Sequence, residues 1–328
     1  MNPKPPVTKI FFINLIIFTL PKSISILDYT FCMTISRQNL SIIIVTYKSE
    51  DVIQDCIKSI PSDINILVVD NSGEKEFKQK IENKYSNVSC ILSSKNLGMG
   101  SGNNLGLRNI KSDYALILNP DVILEEKTID ELILASTQIE EYSVIAPISK
   151  DENYPNYKRL KFSSDKSDDQ KPFKVYSIDG YAMLFNINKI NKLKGFENFN
   201  YFDEKIFLYL ENDDLCKRLI DLNENIYIVP KSKINHLGAS GTSKKYSYQV
   251  EMSRNWHWMW SKFYFKRKHY GYLNALISGF PKFLSSIFKY LFYTIFRKQE
   301  KKEIYFNRAS GFLNALLGRK STHRPKLD

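Results

Sequence analysis

Only four cysteines occur in the 328 residues, Cys32, Cys56, Cys90 and Cys216, and no two of them form a C-x-x-C pair. That argues against a disulfide framework or a cysteine zinc site and fits a reducing cytoplasm. The thiols read as buried or incidental small hydrophobes. Long apolar runs are also scarce. "IFFINLIIFTLP", from Ile10 to Pro21, is too short to span a bilayer. Lys4 and Lys9 precede it as in a signal peptide, but the bulky "ILDYTFC" that follows offers no small-x-small cleavage site. Met33 opens "MTISRQNLSIIIVTYKSE", which reads as a natural start. Residues 1–38 are therefore expected to be a leader or over-extended N-terminus, with 1–32 dispensable. A membrane-touching segment is the alternative.

Acidic residues nearly vanish at the other end. From Lys244 to Asp328 there are 18 Lys and Arg against 4 Asp and Glu, while the whole chain carries +12, which leaves the preceding residues near −2. The basicity belongs to a C-terminal appendage, and the remainder has an ordinary soluble balance. With 43% hydrophobic and 25% charged residues, the chain has ample material for a core.

What is present is a repeating alternation. "LSIIIVTY" is a continuous β-branched run, the pattern of a strand buried on both faces. "SEDVIQDCIKSI" follows as a helix, with Ser49 as a candidate cap and Val52, Cys56 and Ile60 on one face. "INILVVDNSG", "VSCILSS" and "YALILN" read as further strands, separated by the helix "EKEFKQKIENKY" and the loop-to-helix segment "NLGMGSGNNLGLRNI". "TIDELILASTQIEE" is helical. Such alternation predicts an α/β, Rossmann-like domain with a mostly parallel sheet flanked by helices. From about residue 150 a polar loop, "SKDENYPNYKRLKFSSDKSDDQKP", precedes the strand "YSIDGYAMLFN", the acidic helix in "IFLYLENDDLCKRLIDLNE" and a last strand with a loop carrying His236.

In parallel sheets ligands bind beyond the carboxyl ends of the strands. Four polar clusters fall there: Thr46-Tyr47, Asp70-Asn71-Ser72, Asn96-Leu97-Gly98 and Asn119-Pro120-Asp121. Asp70 could accept hydrogen bonds from a ribose or base, although Asp-Asn-Ser-Gly is also turn chemistry. "NLGMGSGNNLG" offers glycines that could let backbone N–H groups approach a phosphate. It lacks both the G-x-G-x-x-G fingerprint and the Walker lysine, and a tight strand-to-helix turn would explain it equally. In "LILNPDVIL", Pro120 restricts the backbone beside Asp121. An acid held there could bind a divalent ion that also touches a diphosphate, or could simply anchor the next helix. "LENDDLCKRL" places Glu211, Asp213 and Asp214 at a helix start, where the helix dipole alone would favour them. The apolar flank "IFLYL" could raise the pKa of one of them, as a general base needs. His236 is the only histidine before the basic tail, and is a structural residue or a metal ligand.

Taken in order, these stretches resemble a family 2 glycosyltransferase of the GT-A fold, and within it the bacterial rhamnosyltransferase-like branch. "SIIIVTYKSE", "VVDNSG", "NLGMGSGNNLGL", "LILNPDVIL", "DGYAMLF", "FLYLENDDLCKRL" and "NHLGASGTS" carry the resemblance over about residues 40–245. It implies that Thr46, Tyr47 and Asp70 line a nucleotide pocket and that Asn96 and Gly98 lie near the ribose or diphosphate. Asn119 and Asp121 would occupy the D-x-D position, with Asn119 in place of its first acid. His236 would complete a shell for Mg²⁺ or Mn²⁺, and Gly180 would border the acceptor pocket. The base would come from Glu211, Asp213 or Asp214; the family often reads Glu-Asp there, and this chain has Asn212. The implied reaction is inverting transfer from a nucleotide-diphosphate sugar donor, with rhamnose on deoxythymidine diphosphate suggested by the branch.

The expected organisation is a catalytic domain over 39–245 and a basic, aromatic, helical region over 246–328. In that region, apolar runs such as "YLFYTIF" are interrupted by Lys282 and Lys289. That favours an amphipathic helix on an anionic membrane surface over a transmembrane span, and over nucleic-acid binding. A helical subdomain packed on the catalytic core is the competing reading. A peripheral position on the inner face of the cytoplasmic membrane would suit a lipid-linked glycan acceptor, as in O-antigen or capsule assembly. Two rival functions remain: a sugar-phosphate nucleotidyltransferase, disfavoured because "TYKSEDV" has no glycine, and a non-catalytic nucleotide-sugar-binding scaffold, kept alive by Asn119 and Asn212.

Overall fold

The computed structural model describes residues 35–159, 170–238, 241–325 and 327. The predicted leader lies almost wholly outside them, as does the middle of the polar loop after residue 150. Six strands and four helices alternate first: β1 (Leu40–Thr46), α1 (Glu50–Lys58), β2 (Asn65–Asp70), α2 (Lys75–Lys84), β3 (Val88–Leu92), α3 (Met99–Asn109), β4 (Tyr114–Leu118), β5 (Val122–Leu124), α4 (Thr128–Gln138) and β6 (Val144–Ser149). The short strands β7 (Tyr157–Lys158), β8 (Phe173–Lys174) and β9 (Ser177–Ile178) lead to β10 (Ala182–Asn186) and α5 (Ile187–Ile190). Then come α6 (Glu211–Asp221), β11 (Ile226–His236), α7 (Ser247–Tyr270), α8 (Tyr272–Ile295) and α9 (Gln299–Leu316).

The main sheet runs β3-β2-β1-β4-β10-β6-β11-β5, with β8 also pairing β11. It is parallel from β3 through β4. β10 then enters antiparallel between β4 and β6, so the second half is mixed. Every residue of β1 and of β4 is buried. Alternation divides them between two cores. Ile42, Ile44 and Leu116 join one face, and Ile43, Ala115 and Ile117 the other. An unbroken apolar run is what a strand covered on both faces requires, and each buried isoleucine contributes roughly 2 kcal/mol of transfer free energy.

Three local expectations are corrected. Ser49 stands at the N-cap of α1 but makes no side-chain cap; its hydroxyl donates to the Gly241 carbonyl at 2.6 Å, tying this loop to the segment after β11. "YSIDGYAMLFN" forms two strands, β9 and β10, parted by Asp179-Gly180-Tyr181. His236 is the last residue of β11 and does not lie in the following loop. Its last residues pair with β5, and its register against β6 shifts earlier, between Val229 and Lys233. Pro230, with no N–H to give to a ladder, lies in that irregularity.

The C-terminal helices form a third apolar core around Trp256, Trp260, Phe263 and Phe312. α7 is also fastened to the sheet-bearing part. The Ser261 hydroxyl donates to the Leu208 carbonyl at 2.7 Å, and Lys268 bridges Asp203 and Asp214 at 2.7 and 2.6 Å. α8 leaves Leu273, Ile277, Leu284, Phe288, Leu291 and Ile295 exposed. Among the described residues no helix is long and apolar enough to cross a membrane.

Candidate active site

The stretch "LILNPDVIL" is a strand, a turn and a second strand. Leu116–Leu118 end β4 in the middle of the sheet, and Val122–Leu124 form β5 at its far edge against β11. The turn between them therefore crosses the strand ends. His236 pairs with Val122 in that ladder, which places its ring beside Asp121, with Nε2 3.5 Å from the carboxylate. Tyr181 stacks on the imidazole at 3.9 Å between centroids and fixes its plane.

A cavity of about 870 Å³ opens over this edge. Thr46, Tyr47, Asn96, Gly98, Asn119, Asp121, Gly180, Glu211, Asp213 and His236 all line it. Two predicted residues do not. Asp70 is buried, accepting from the Thr46 hydroxyl at 3.0 Å and from the Glu74 amide at 3.2 Å. It shapes the wall by holding Thr46. Asp214 is fully buried behind the cavity, held by Arg218 at 3.0 Å, Lys268 at 2.6 Å and His269 at 2.8 Å.

The three acids of α6 thus have different surroundings. Asp213 accepts from Lys158 at 2.5 Å and from the Ser177 hydroxyl at 2.6 Å. Glu211 has no such cation among the described residues, and it is 7% exposed. Its Oε2 has no hydrogen-bond partner among the described residues. Burial, with a smaller push from Asp213, raises its pKa to about 7. The residues delivering it are strained, since Tyr209 and Leu210 both have left-handed backbones, at φ 69° and 68°. Such positions cost of order 1–3 kcal/mol each and persist only where the surroundings impose them.

Asn212 also lines the cavity, but its side chain is engaged within the wall. Its amide donates to the Ile178 carbonyl at 2.7 Å. A Cβ on Gly180 would lie 3.2 Å from the Asn212 Cβ, so the glycine allows this close approach. Asn212 pins β9 to α6.

The glycine-rich loop has a packing role in place of the open phosphate cradle. Gly98 has φ +85°, and a Cβ there would collide with the Phe207 carbonyl. The Met99 amide donates to that same carbonyl at 3.2 Å, and the Gly98 amide to the Asn96 side chain at 3.0 Å. Two N–H groups that might have faced an anion are therefore committed.

A divalent ion fits the donor set. Asp121 and His236 are adjacent in the lining, and the Asn119 side-chain oxygen is buried without a hydrogen-bond partner among the described residues. Carboxylate, amide oxygen and imidazole suit Mn²⁺, and the oxygens suit Mg²⁺. Among the described residues no group of three or more His, Cys, Asp or Glu converges, so ligand or water oxygens would have to complete a shell.

Several lining residues escaped the sequence reading. Asp179 joins the wall, with its pKa raised by burial. Val250, Arg254 and Trp258 enter from α7. Their spacing of four residues marks one helix face, a signal hidden inside a stretch read only as basic and aromatic. Pro325 also lines the cavity. It is brought there by His257, whose Nε2 lies 2.8 Å from the His323 carbonyl and Nδ1 3.0 Å from the Ser321 hydroxyl. Arg324 then donates to the Asn96 carbonyl at 3.2 Å and covers the Phe207 ring at 3.6 Å.

Residues 41–214 match the model of glycosyl transferase family 2. Among curated proteins, the chain is 29% identical over 264 residues to the low-salt glycan biosynthesis hexosyltransferase Agl10 of Haloferax volcanii, covering 74% of this chain and 82% of that one. It is 26% identical to the rhamnosyltransferase WbbL of Escherichia coli K12, over 58% of this chain and 80% of the other. An N-acetylglucosaminyl-diphospho-decaprenol L-rhamnosyltransferase of Mycobacterium tuberculosis is 21% identical, with 55% and 69% covered. Among solved structures, a mannosyltransferase of Pyrobaculum calidifontis, in complex with GDP-Man and Mn²⁺, shares the fold at 11% identity and TM-score 0.51, over 86% of this chain and 88% of that one. The chain belongs to glycosyl transferase family 2 and is a glycosyltransferase of the GT-A fold.

Proposed function

We propose that the protein is an inverting transferase that moves a sugar, rhamnose by its branch resemblance, from a nucleotide-diphosphate donor to a hydroxyl of a lipid-linked glycan. The observation that carries this reading is the buried, cation-free Glu211 in the wall that also holds Asp121 and His236. Of the three acids of α6, Asp213 and Asp214 are paired to cations and Glu211 is left to act as base, which suits a single direct displacement. The acceptor hydroxyl gives its proton to Glu211, its oxygen bonds the anomeric carbon, and the carbon–phosphate-oxygen bond breaks with its electron pair leaving on the diphosphate. Thr46, Tyr47 and Asn96 receive the nucleotide side, and Gly180 borders the acceptor. Asp121, His236 and Asn119 would hold Mg²⁺ or Mn²⁺, which supplies positive charge against the leaving diphosphate.

The lipid-linked acceptor is supported by the decaprenol-linked substrate named for the mycobacterial relative and by the apolar face of α8. We place the protein on the anionic inner face of the cytoplasmic membrane. Lys289, Arg297 and Lys298 accompany that face and would meet acidic headgroups. The test is nucleotide-diphosphate release from a panel of sugar nucleotides, with and without Mn²⁺ or Mg²⁺, in the presence of a polyprenyl-diphosphate glycan. Metal-dependent release that falls at least about 100-fold in Asp121→Ala is the expected result. No turnover with any donor would overturn the reading.

A further inference from the structure

α7 carries a row of side chains at four-residue spacing: Val250, Arg254, Trp258, Lys262 and Lys266. The first three line the cavity, and Trp258, at its mouth, is 38% exposed. The Lys262 ammonium lies over the Trp258 ring, 4.6 Å from its centroid. The row therefore continues outward from the cavity as positive charge.

There it meets α8. Lys282 reaches Lys262 within hydrogen-bonding range, and Lys266 lies close enough to Lys262 to repel it. Among the described residues none of the three lysines has a carboxylate partner, unlike Lys268 nearby, which has two. Burial and the neighbouring ammonium groups push Lys262 down to about 8. A cluster of facing cations with no acid costs folding free energy unless an anion is bound between them. α8, which carries Lys282, also presents the exposed apolar side chains Leu273, Ile277, Leu284 and Phe288. The row on α7 thus links the cavity, through Trp258, to a helix with exposed apolar surface.

We propose that Lys262, Lys266 and Lys282 form a binding site for the diphosphate of a polyprenyl-diphosphate-linked acceptor, whose lipid lies along α8 and whose glycan passes Trp258 into the cavity. The site rests on the lipid-linked acceptor reading given above. A diphosphate spans two cationic centres and carries charge that the lysines lack a partner for, whereas a neutral lipid alcohol offers nothing to them.

The experiment measures binding of farnesyl diphosphate to the full chain in detergent micelles, with farnesol, inorganic pyrophosphate and phosphatidylglycerol as competitors. The paired substitution Lys262→Gln with Lys282→Gln should weaken farnesyl diphosphate about tenfold or more. The corresponding arginine pair should retain it, and the charge-matched pair Lys192→Gln with Lys194→Gln should leave it unchanged. Lys282→Gln alone, at an exposed position, tests the site even if the double variant fails to fold. With a polyprenyl-diphosphate glycan as acceptor, the glutamine variants should raise KM for acceptor more than they lower kcat. Unchanged farnesyl diphosphate affinity in the glutamine variants, an equal loss in the Lys192/Lys194 control, or competition by phosphatidylglycerol as effective as by farnesyl diphosphate would each overturn the site. If the native chain instead uses a soluble glycan as well as the lipid-diphosphate one, the acceptor reading itself fails, and the site with it.

Discussion

At the scale of the residue, Glu211 sets two requirements against each other. Its burial raises its pKa to about 7, from an ordinary carboxylate value of 4.5. Between those values the folded chain holds a proton that the unfolded chain has released, so this group's contribution to stability falls as pH rises from about 4.5 to 7. The base proposed above would act in its ionised form, so turnover should rise with pH through the same region. Glu211→Gln should lower turnover about 100-fold or more while raising stability at pH 8 by roughly 2–3 kcal/mol. Thermal melts at pH 4 and pH 8 check this: the gain should be present at pH 8 and vanish at pH 4. Asp214→Asn should behave in the opposite way. Its carboxylate serves Arg218, Lys268 and His269 in a fully buried position. Removing the charge should cost about 3–5 kcal/mol at neutral pH, seen as a lowered urea midpoint.

At the scale of the element, one side of the cavity is finished by a segment that is not a regular element. Ser321 to Pro325 is held by His257, whose two ring nitrogens are both engaged. Burial lowers the pKa of His257 to about 3. Between about 3 and the ordinary 6.5 the unfolded chain binds a proton that the folded chain excludes, so stability rises with pH across that window and is lost on acidification. His257→Phe keeps the ring but loses both hydrogen bonds. It should speed hydrogen exchange over residues 321–325, weaken nucleotide binding, and remove that acid sensitivity, at a stability cost of about 1–3 kcal/mol at neutral pH.

This tail marks where the sequence stopped being legible. β1 and β4 could be read because a strand covered on both faces must be apolar at every position, and the polar clusters after them could only lie at strand ends. Asp121 and His236 could be paired only through the resemblance, since their contact depends on β5 crossing to the far edge. Glu211, Asp213 and Asp214 looked alike because what separates them comes from far along the chain: Lys158 and Ser177 for one, Lys268 and His269 for another. The glycines of "NLGMGSGNNLG" suggested an anion, but their nearest neighbours are Phe207, Phe202 and Val45, which no local pattern discloses.

At the scale of the whole molecule, charge and apolar surface are both gathered toward the C-terminal helices. Residues 244–328 carry 18 Lys and Arg against 4 Asp and Glu. α8 adds a row of exposed large side chains, with Ile277 74% and Phe288 69% exposed. Exposed apolar surface rimmed by basic residues is suited to an anionic interface, where each Lys or Arg near the surface contributes about 1 kcal/mol. The native chain should co-sediment with phosphatidylglycerol vesicles at low salt. Ile277→Glu with Phe288→Glu should reduce that binding about tenfold or more while leaving the melting temperature nearly unchanged. Equal sedimentation of the two proteins would remove the interface from the account.

The contact between Arg324 and Asn96 joins the last turn of the cavity wall to a loop more than two hundred residues earlier. Synthesis proceeds from the other end. The sheet, the acids of α6 and the whole helical hairpin leave the ribosome before Ser321 to Pro325 can fold back. A chain cut short before Ser321 would keep the sheet and the helices but leave that side of the cavity open. Completeness of the site thus depends on a segment made after every regular element that surrounds it.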